Sequence, residues 1–498
     1  MPANVENLLL VLKVIITSIY VFCLVLLCIF GVHRYYLART FLKFKDVIPK
    51  PKGKFQDLPL VTVQLPIFNE LYVVERLIAS VCEIDYPVEL LEIQVLDDST
   101  DETQEIAKKL VNRCRALGFQ IHYIHRDNRA GFKAGALREG LKVAKGEFIA
   151  IFDSDFVPPK DFLTKTIDFF TDPEVGIVQV RWGHVNIDYS TLTKAQSILL
   201  DGHFLIEQAS RFYGGRFFNF NGTAGVLRRQ CINSSGGWQH DTLTEDLDLS
   251  YRAQIGGWRL VYLKDVIAKA ELPVDMNAFK SQQHRWVKGG IQTAKKLLPR
   301  LLKSKDIPIK VKIEAAFHLL GNMSYPLLLI LLVLMVPMAY FWRSVGWENV
   351  VLLNLIAITS GTLSIVRFYL IALKEGHKEE WSRYVKYIPL SLGIGTGLTI
   401  NNSKAVFEAI LGMDSDFRRT PKFAVTKKGD IWHKRKYATS KESTTLIELL
   451  LGLIFIIQTF YAIFMGLIGW IPFLLIIQLG FIYNSILSIF HSSKKNSI

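Results

Sequence analysis

The chain has 498 residues, half of them apolar, and a formal net charge of +14; its mean hydropathy is +0.25. That length exceeds one ordinary domain, and that hydropathy argues against a wholly water-soluble chain. The excess charge admits nucleic acid, anionic lipid or an anionic substrate, but the cations cluster beside apolar segments, not among the stacking aromatics of a nucleic-acid surface. Five cysteines (Cys23, Cys28, Cys82, Cys114, Cys231) form no paired metal-ligand spacing and read as reduced structural thiols.

In chain order, residues 8–32 are an almost unbroken apolar run, long enough for a helix across the ~30 Å hydrocarbon layer. It lacks a basic leader and a small-residue cleavage site, so a retained anchor is expected. His33, Arg34, Arg39, Lys43 and Lys45 follow it and direct what comes next to the cytoplasm. From about 58 to 290 short β-rich runs (60–66, 91–98, 121–126, 148–155 and 176–180) alternate with charged helical stretches such as 102–117, the signature of a mostly parallel α/β sheet. A basic amphipathic stretch, 288–320, then leads to apolar spans near 324–341, 349–373, 446–469 and 471–490. The Gly-rich segment 387–400 is short for a crossing. Were it one, the loop 402–445, with Arg418, Arg419, Lys422 and Lys441 among its cations, would face outwards against the positive-inside rule. Five crossings are therefore expected, N-terminus outside, with the Lys494-Lys495 tail inside.

Five groups of residues carry chemistry. Glu70 in PIFNE and the pair Asp97 and Asp98 in DDSTD lie at strand ends, where open α/β sheets bind ligands, and can accept hydrogen bonds from a nucleoside; the pair would equally cap the next helix. In RAGFKAGAL, Lys133 stands among glycines that let backbone approach a phosphate, or else simply starts a helix. Asp153 and Asp155 end an apolar strand as Asp-x-Asp, a hard oxygen site for Mg²⁺ or Mn²⁺ with positions left open for a diphosphate. In TEDLDL, Asp246 is the candidate general base and Glu245 its acidic neighbour, though Thr244 and both acids also suit a helix N-terminus. In QQHRW, Arg285 offers charge for a departing diphosphate, Trp286 a face for a pyranose and Gln282 an amide for sugar hydroxyls.

With DDS, DSD, TED and Gln-x-x-Arg-Trp in this order, the segment 58–290 resembles the family-2 glycosyltransferases of the GT-A fold, in particular the membrane-integrated cellulose-synthase-like group. FNGTAG (220–225), GGW (236–238) and ELP before QQHRW look closest to mannan and xyloglucan-backbone synthases and their bacterial relatives. FAVTKKG (423–429) resembles the gating loop of bacterial cellulose synthase and adds Thr426 and Lys428 to the donor contacts. The resemblance implies a GT-A catalytic domain, Rossmann-like and mostly parallel, on the cytosolic side of a multi-pass plasma or Golgi-type membrane, joined to an α-helical transmembrane region. It divides the chain into an anchor and linker (1–57), a catalytic domain (58–290), interface helices (291–323), two spans (324–373), a cytosolic gating segment (374–445), and two spans with a basic tail (446–498). It implies a processive, inverting hexosyltransferase extending a β-(1,4)-type glycan from UDP-glucose or GDP-mannose. In that reading Asp97 and Asp98 hold the nucleotide, Asp153 and Asp155 the metal, Asp246 the base role, and Gln282, Arg285 and Trp286 the acceptor and diphosphate. The alternative is a single transfer to a lipid such as diacylglycerol or ceramide. Expected partners are donor, glycan and bilayer; accessory export subunits leave no mark in the sequence.

Overall fold

The computed structural model describes residues 3–344, 348–413, 419–437 and 443–493. Arg418, Lys441 and the Lys494-Lys495 pair lie outside the described residues. Seven strands among the described residues form one sheet: Val61–Ile67 (β1), Leu91–Asp97 (β2), Gln120–His125 (β3), Phe148–Ile151 (β4), Val175–His184 (β5), Gly225–Arg228 (β6) and Arg259–Ala270 (β7), in the order β3-β2-β1-β4-β6-β5-β7. All five expected strands are present; β6 and β7 were not read from the sequence. Only β6 runs against its neighbours, β4 and β5. β2 is buried at every position, its polar Glu92 and Gln94 included, because helices cover both faces of the sheet; those two side chains accept hydrogen bonds from Thr62 and Gln64 of β1.

The register sets the site. Ile67 of β1 is level with Asp97 of β2, so both strands and β4 release their carboxyl ends along one edge. The reversed β6 brings its entry turn, Gly222 to Ala224, back to that edge: the Ala224 N–H donates to Ile151 O at 2.8 Å and the Asp153 N–H to Thr223 Oγ1 at 2.8 Å.

Five helical stretches among the described residues are long and apolar enough to cross a membrane: Asn7–Phe44, Ile309–Met338, Asn354–Gly376, Thr445–Phe464 and Ile468–Ser492. Their outward side chains, such as Leu8 and Phe460, both 69 % exposed, suit lipid as solvent. Segment 387–400 is not one of the five; it forms Ile388–Gly397 and the start of Thr399–Leu411, packed inside the helical bundle. At Gly480 a Cβ would fall 1.8 Å from Gly393 O, so only glycines let the last helix lie this close to Ile388–Gly397.

QQHRW and the start of the amphipathic stretch belong to a single helix, Met276–Lys303, which runs across residue 290. That helix is fixed to the apolar helix Thr445–Phe464 by a fully buried ion pair, Lys280 Nζ to Glu448 Oε2 at 2.5 Å, with Thr444 Oγ1 on the other carboxylate oxygen at 3.0 Å. Breaking a buried pair strands one charge, at about 3–5 kcal/mol. Glu448→Ala is therefore expected to lower the thermal midpoint in detergent, and adding Lys280→Met to recover most of the loss; equal midpoints for wild type and the single variant would remove the pair from the fold's supports.

Candidate active site

The acidic residues from distant segments meet around lysines. Lys133, in the first turn of helix Phe132–Val143, places Nζ 2.5 Å from Asp153 Oδ1 and 4.0 Å from Glu245 Oε1, and donates to Gly222 O at 2.9 Å. Burial opposes its charge, but Asp153, Glu245 and Asp246 outweigh burial and hold the ammonium above its ordinary pKa. A Cβ on Gly222 would stand 2.9 Å from Asp246 Oδ2 and 3.3 Å from Lys133 Nζ; at φ +81°, this position needs glycine on both counts.

Glu245 and Asp246 open helix Glu245–Ile255, with Thr244 as the N-cap residue. Thr244 makes no side-chain cap; its hydroxyl meets Thr293 Oγ1 at 3.3 Å, linking this helix to Met276–Lys303. The Leu247 N–H donates to Asp246 Oδ1 at 2.8 Å. Burial and the neighbouring Glu245 push the Asp246 carboxyl up to about 7, and burial also raises Glu245. Arg285, lowered by burial, feels the field of Glu245, Asp153 and Asp246. Gln282 is buried one turn before it, and Trp286 is half-buried beside it.

Asp155 is held differently. Lys422 Nζ lies 2.6 Å from its Oδ2, while Arg419 Nη1 stands 2.8 Å from Glu70 Oε2. Both cations belong to a strap, residues 419–437, that crosses the strand ends. The Phe423 N–H donates to Glu271 Oε1 at 3.0 Å, Arg285 donates to Thr420 Oγ1 at 3.5 Å, and Phe423, Val425 and Trp432 pack with Val274. At its far end Lys436 pairs with Glu102 at 2.7 Å and the Tyr437 hydroxyl donates to Asp101. Thr426 and Lys428 are exposed on the strap; the Thr426 N–H donates to Asp430 Oδ2 at 2.8 Å. Burial, opposed by Arg419 and Lys422, lifts the Glu70 carboxyl to about 7.

Asp97 and Asp98 divide their work. Asp97 is fully buried and accepts from the Ser99 N–H at 2.8 Å and the Tyr123 hydroxyl at 2.6 Å, so it shapes the turn. Asp98 is gripped by Arg126 through two nitrogens, Nε to Oδ1 at 2.7 Å. Neither caps the next helix: its N-cap residue, Glu102, makes no side-chain cap, and Asp101 just before it accepts from the Thr103 N–H at 3.0 Å.

The structure thus gathers Lys133, Asp153, Glu245, Asp246 and Arg285 on one side, and Glu70, Asp155, Arg419 and Lys422 beside them. Sequence reading missed Lys422, Arg419, Glu271 and Gly222. The signal for the first two was RRTPKF running directly into FAVTKKG; their charge was read as marking topology, while their ammonium and guanidinium groups face site carboxylates.

Residues 62–232 match the family model described as "Glycosyl transferase family 2", and residues 148–374 match "Glycosyl transferase family group 2". Together the two matches run from residue 62 to residue 374: the first contains Glu70 to Asp155, the second Asp153 to Trp286, and the strap lies beyond both. The chain is 42 % identical over 280 residues to glucomannan 4-beta-mannosyltransferase 1 of Oryza sativa subsp. japonica, covering 55 % of this chain and 54 % of that one. It is 39 % identical over 305 residues to glucomannan 4-beta-mannosyltransferase 7 of Arabidopsis thaliana, covering 58 % and 55 %. The chain therefore spans about half the length of the curated relatives it matches. The solved mannosyltransferase PcManGT of Pyrobaculum calidifontis, in complex with GDP-Man and Mn2+, shares the fold at a TM-score of 0.53 and 20 % identity, over 73 % of this chain and 100 % of that one.

The raised carboxyls fix a sign for stability. Asp246 and Glu70 keep their protons to about pH 7 when folded, but release them near about pH 4 when unfolded. Between those values the folded state binds more protons, so stability falls as pH rises. Asp246→Asn is expected to flatten this decline: the ligand-free variant should lose less melting temperature than wild type between pH 5 and pH 8. A steeper loss in the variant would contradict the assigned shift.

Proposed function

We propose that this glycosyltransferase moves hexosyl units, mannose from GDP-mannose foremost, onto the non-reducing end of a β-(1,4)-type glycan, inverting the donor's α linkage. The observation that carries the proposal is the convergence of Asp153, Glu245 and Asp246 on Lys133, with Arg285 in the same field, at the carboxyl ends of parallel strands. The named activity of the mannosyltransferase relatives, aligned over about half the chain, favours mannose over glucose as donor sugar.

Asp246 accepts the proton of the attacking hydroxyl as the new bond to the anomeric carbon forms and the bond to the diphosphate breaks, with no covalent sugar–enzyme intermediate. Arg285 and Lys133 face the charge that builds on the leaving diphosphate. Glu245 holds Lys133 in place, and Gln282 and Trp286 align the acceptor sugar. Asp98 and Glu70 flank the nucleotide side, Asp97 braces the turn that carries Asp98, and Thr426 and Lys428 close over the donor from the strap.

Asp153 and Asp155 fit a hard divalent cation: two carboxylates on alternate residues at a strand end, each already matched to a lysine ammonium, at a place where positive charge is favoured. Among the described residues no three His, Cys, Asp or Glu groups are close enough to hold a metal by themselves. Mg²⁺ or Mn²⁺ bound there supplies Lewis-acid stabilisation of the leaving group.

Five apolar helices suit a membrane enzyme, and the cytosolic side is assigned to the catalytic domain from the cations after the first span. A file of polar groups, half-buried at Asn221, His203 and Glu207 and buried at Arg211 and Glu314, supports passage of the product into the helical region. It runs from Asn221 to His203 at 3.3 Å, His203 to Glu207 at 3.1 Å, and through Arg211 to Glu314 at 3.1 Å.

The test is purified protein in detergent with labelled GDP-mannose or UDP-glucose and Mn²⁺ or Mg²⁺, followed by sizing and linkage analysis. Long β-linked chains are expected, and products of one added sugar on lipid would reject processive synthesis. Asp246→Asn should lower kcat by about 10²–10⁴ with little effect on donor binding. In wild type the rate should climb as pH passes about 7, where Asp246 ionises. Lys422→Ala removes the internal cation from Asp155 and is expected to tighten Mn²⁺ binding several-fold by calorimetry; weaker binding would mean that Lys422 helps to assemble the site.

A further inference from the structure

A cavity of about 870 Å³ lies far from the strand ends, between the first helix, Ala3–Phe44, and the helices Ile309–Leu320 and Glu348–Gly376. Along the first helix its lining recurs at Tyr20, Leu24, Cys28, Val32 and Tyr36, with Val21, Val25 and Ile29 beside them. That is one face of a helix, about 24 Å long, roughly the depth of one leaflet with its headgroup layer. Among the described residues nothing covers it: Val25 is 51 % exposed and Val32 68 %. Its inner end is closed by Tyr20 and Asn354, hydrogen-bonded to each other at 2.8 Å, so no free polar group stands there to hold water.

The two ends differ in chemistry. At the outer end stand Tyr36, Arg216 and Lys310. Arg216 is aimed by its neighbours, donating to Tyr36 Oη at 3.0 Å and Gly214 O at 2.7 Å, which leaves the remaining guanidinium donors for a ligand. Lys310 is exposed, in the first turn of Ile309–Leu320, where the helix dipole also favours an anion. The acid in the lining, Glu314, is 3 % exposed, and its oxygens face His33 at 2.8 Å and Arg211 at 3.1 Å, so it adds no free negative charge at the rim. An apolar slot of leaflet depth, ending in aimed cations among interfacial aromatics, matches an acyl chain below a phosphate.

We propose that this groove binds one anionic phospholipid of the bilayer, its acyl chain along Val21 to Val32 and its phosphate on Arg216 and Lys310. None of its lining residues belongs to the catalytic cluster, and the one shared with the polar file assigned to the product, Glu314, takes no part in the proposed lipid contacts.

The experiment is native mass spectrometry of the full chain in detergent with added dioleoylphosphatidylglycerol or dioleoylphosphatidylcholine. Wild type is expected to retain one phosphatidylglycerol per chain in preference to phosphatidylcholine. Arg216→Gln with Lys310→Gln should weaken that retention about tenfold, and Val25→Trp with Ile29→Trp should exclude both lipids by filling the slot. Thermal midpoints within a few degrees of wild type establish that each variant is folded; should the tryptophan pair unfold, Val25→Phe alone serves as the filling variant. Equal retention of the two lipids, or phosphatidylglycerol retention unchanged in the glutamine variant, would overturn the proposal. So would masses showing this face covered by a second copy of the chain, with no lipid bound.

Discussion

Negative charge crowded where water is scarce is the constraint from which the rest of the structure follows. Asp153, Asp155, Glu245, Asp246 and Glu70 lie at or beside one sheet edge, and like charges at such spacing cannot all ionise unless cations stand among them. The chain provides those cations from two directions. Lys133 rises from within the α/β layer, and Lys422 and Arg419 descend from the strap. Where burial outweighs those cations the proton stays on, which is why Asp246, with Glu245 beside it, and Glu70 are lifted to about 7.

This explains why parts far apart in sequence cannot be understood singly. The strap has little regular structure of its own; its apolar residues Phe423, Val425 and Trp432 anchor it beside Val274, while its cations are positioned by the acids below. The glycine at 222 reflects the same crowding, since Asp246 and Lys133 together occupy the volume a side chain would take. A site of this kind stores instability at the ends of otherwise well-packed strands, as functional clefts commonly do.

Much of the fold was legible in the sequence because the periodicities were strong. Alternating β-rich and helical segments predicted the parallel core, and long apolar runs predicted the five membrane-length helices; β6 and β7 escaped because one has only four residues and the other carries charges at Lys264, Asp265 and Lys269. Within the site, acids at a strand end pointed to Asp153 and Asp155, and the acidic start of a helix, TED, pointed to Asp246. What sequence could not reveal was pairing. Asp97 and Asp98 look alike in DDS, yet one is enclosed by Ser99 and Tyr123 and the other held by Arg126, a difference set by the register of β2 against β3. Lys422 and Arg419 looked like loop charges because their partners lie more than 260 residues away in the chain.

The helix Met276–Lys303 joins two regions usually thought of as separable. Its middle turns present Gln282, Arg285 and Trp286, while Lys280, less than one turn earlier, is locked to Glu448 inside the helical bundle. Site and bundle thus share one continuous helix: trimming the chain before it discards these three side chains, and trimming after it exposes an uncompensated ammonium.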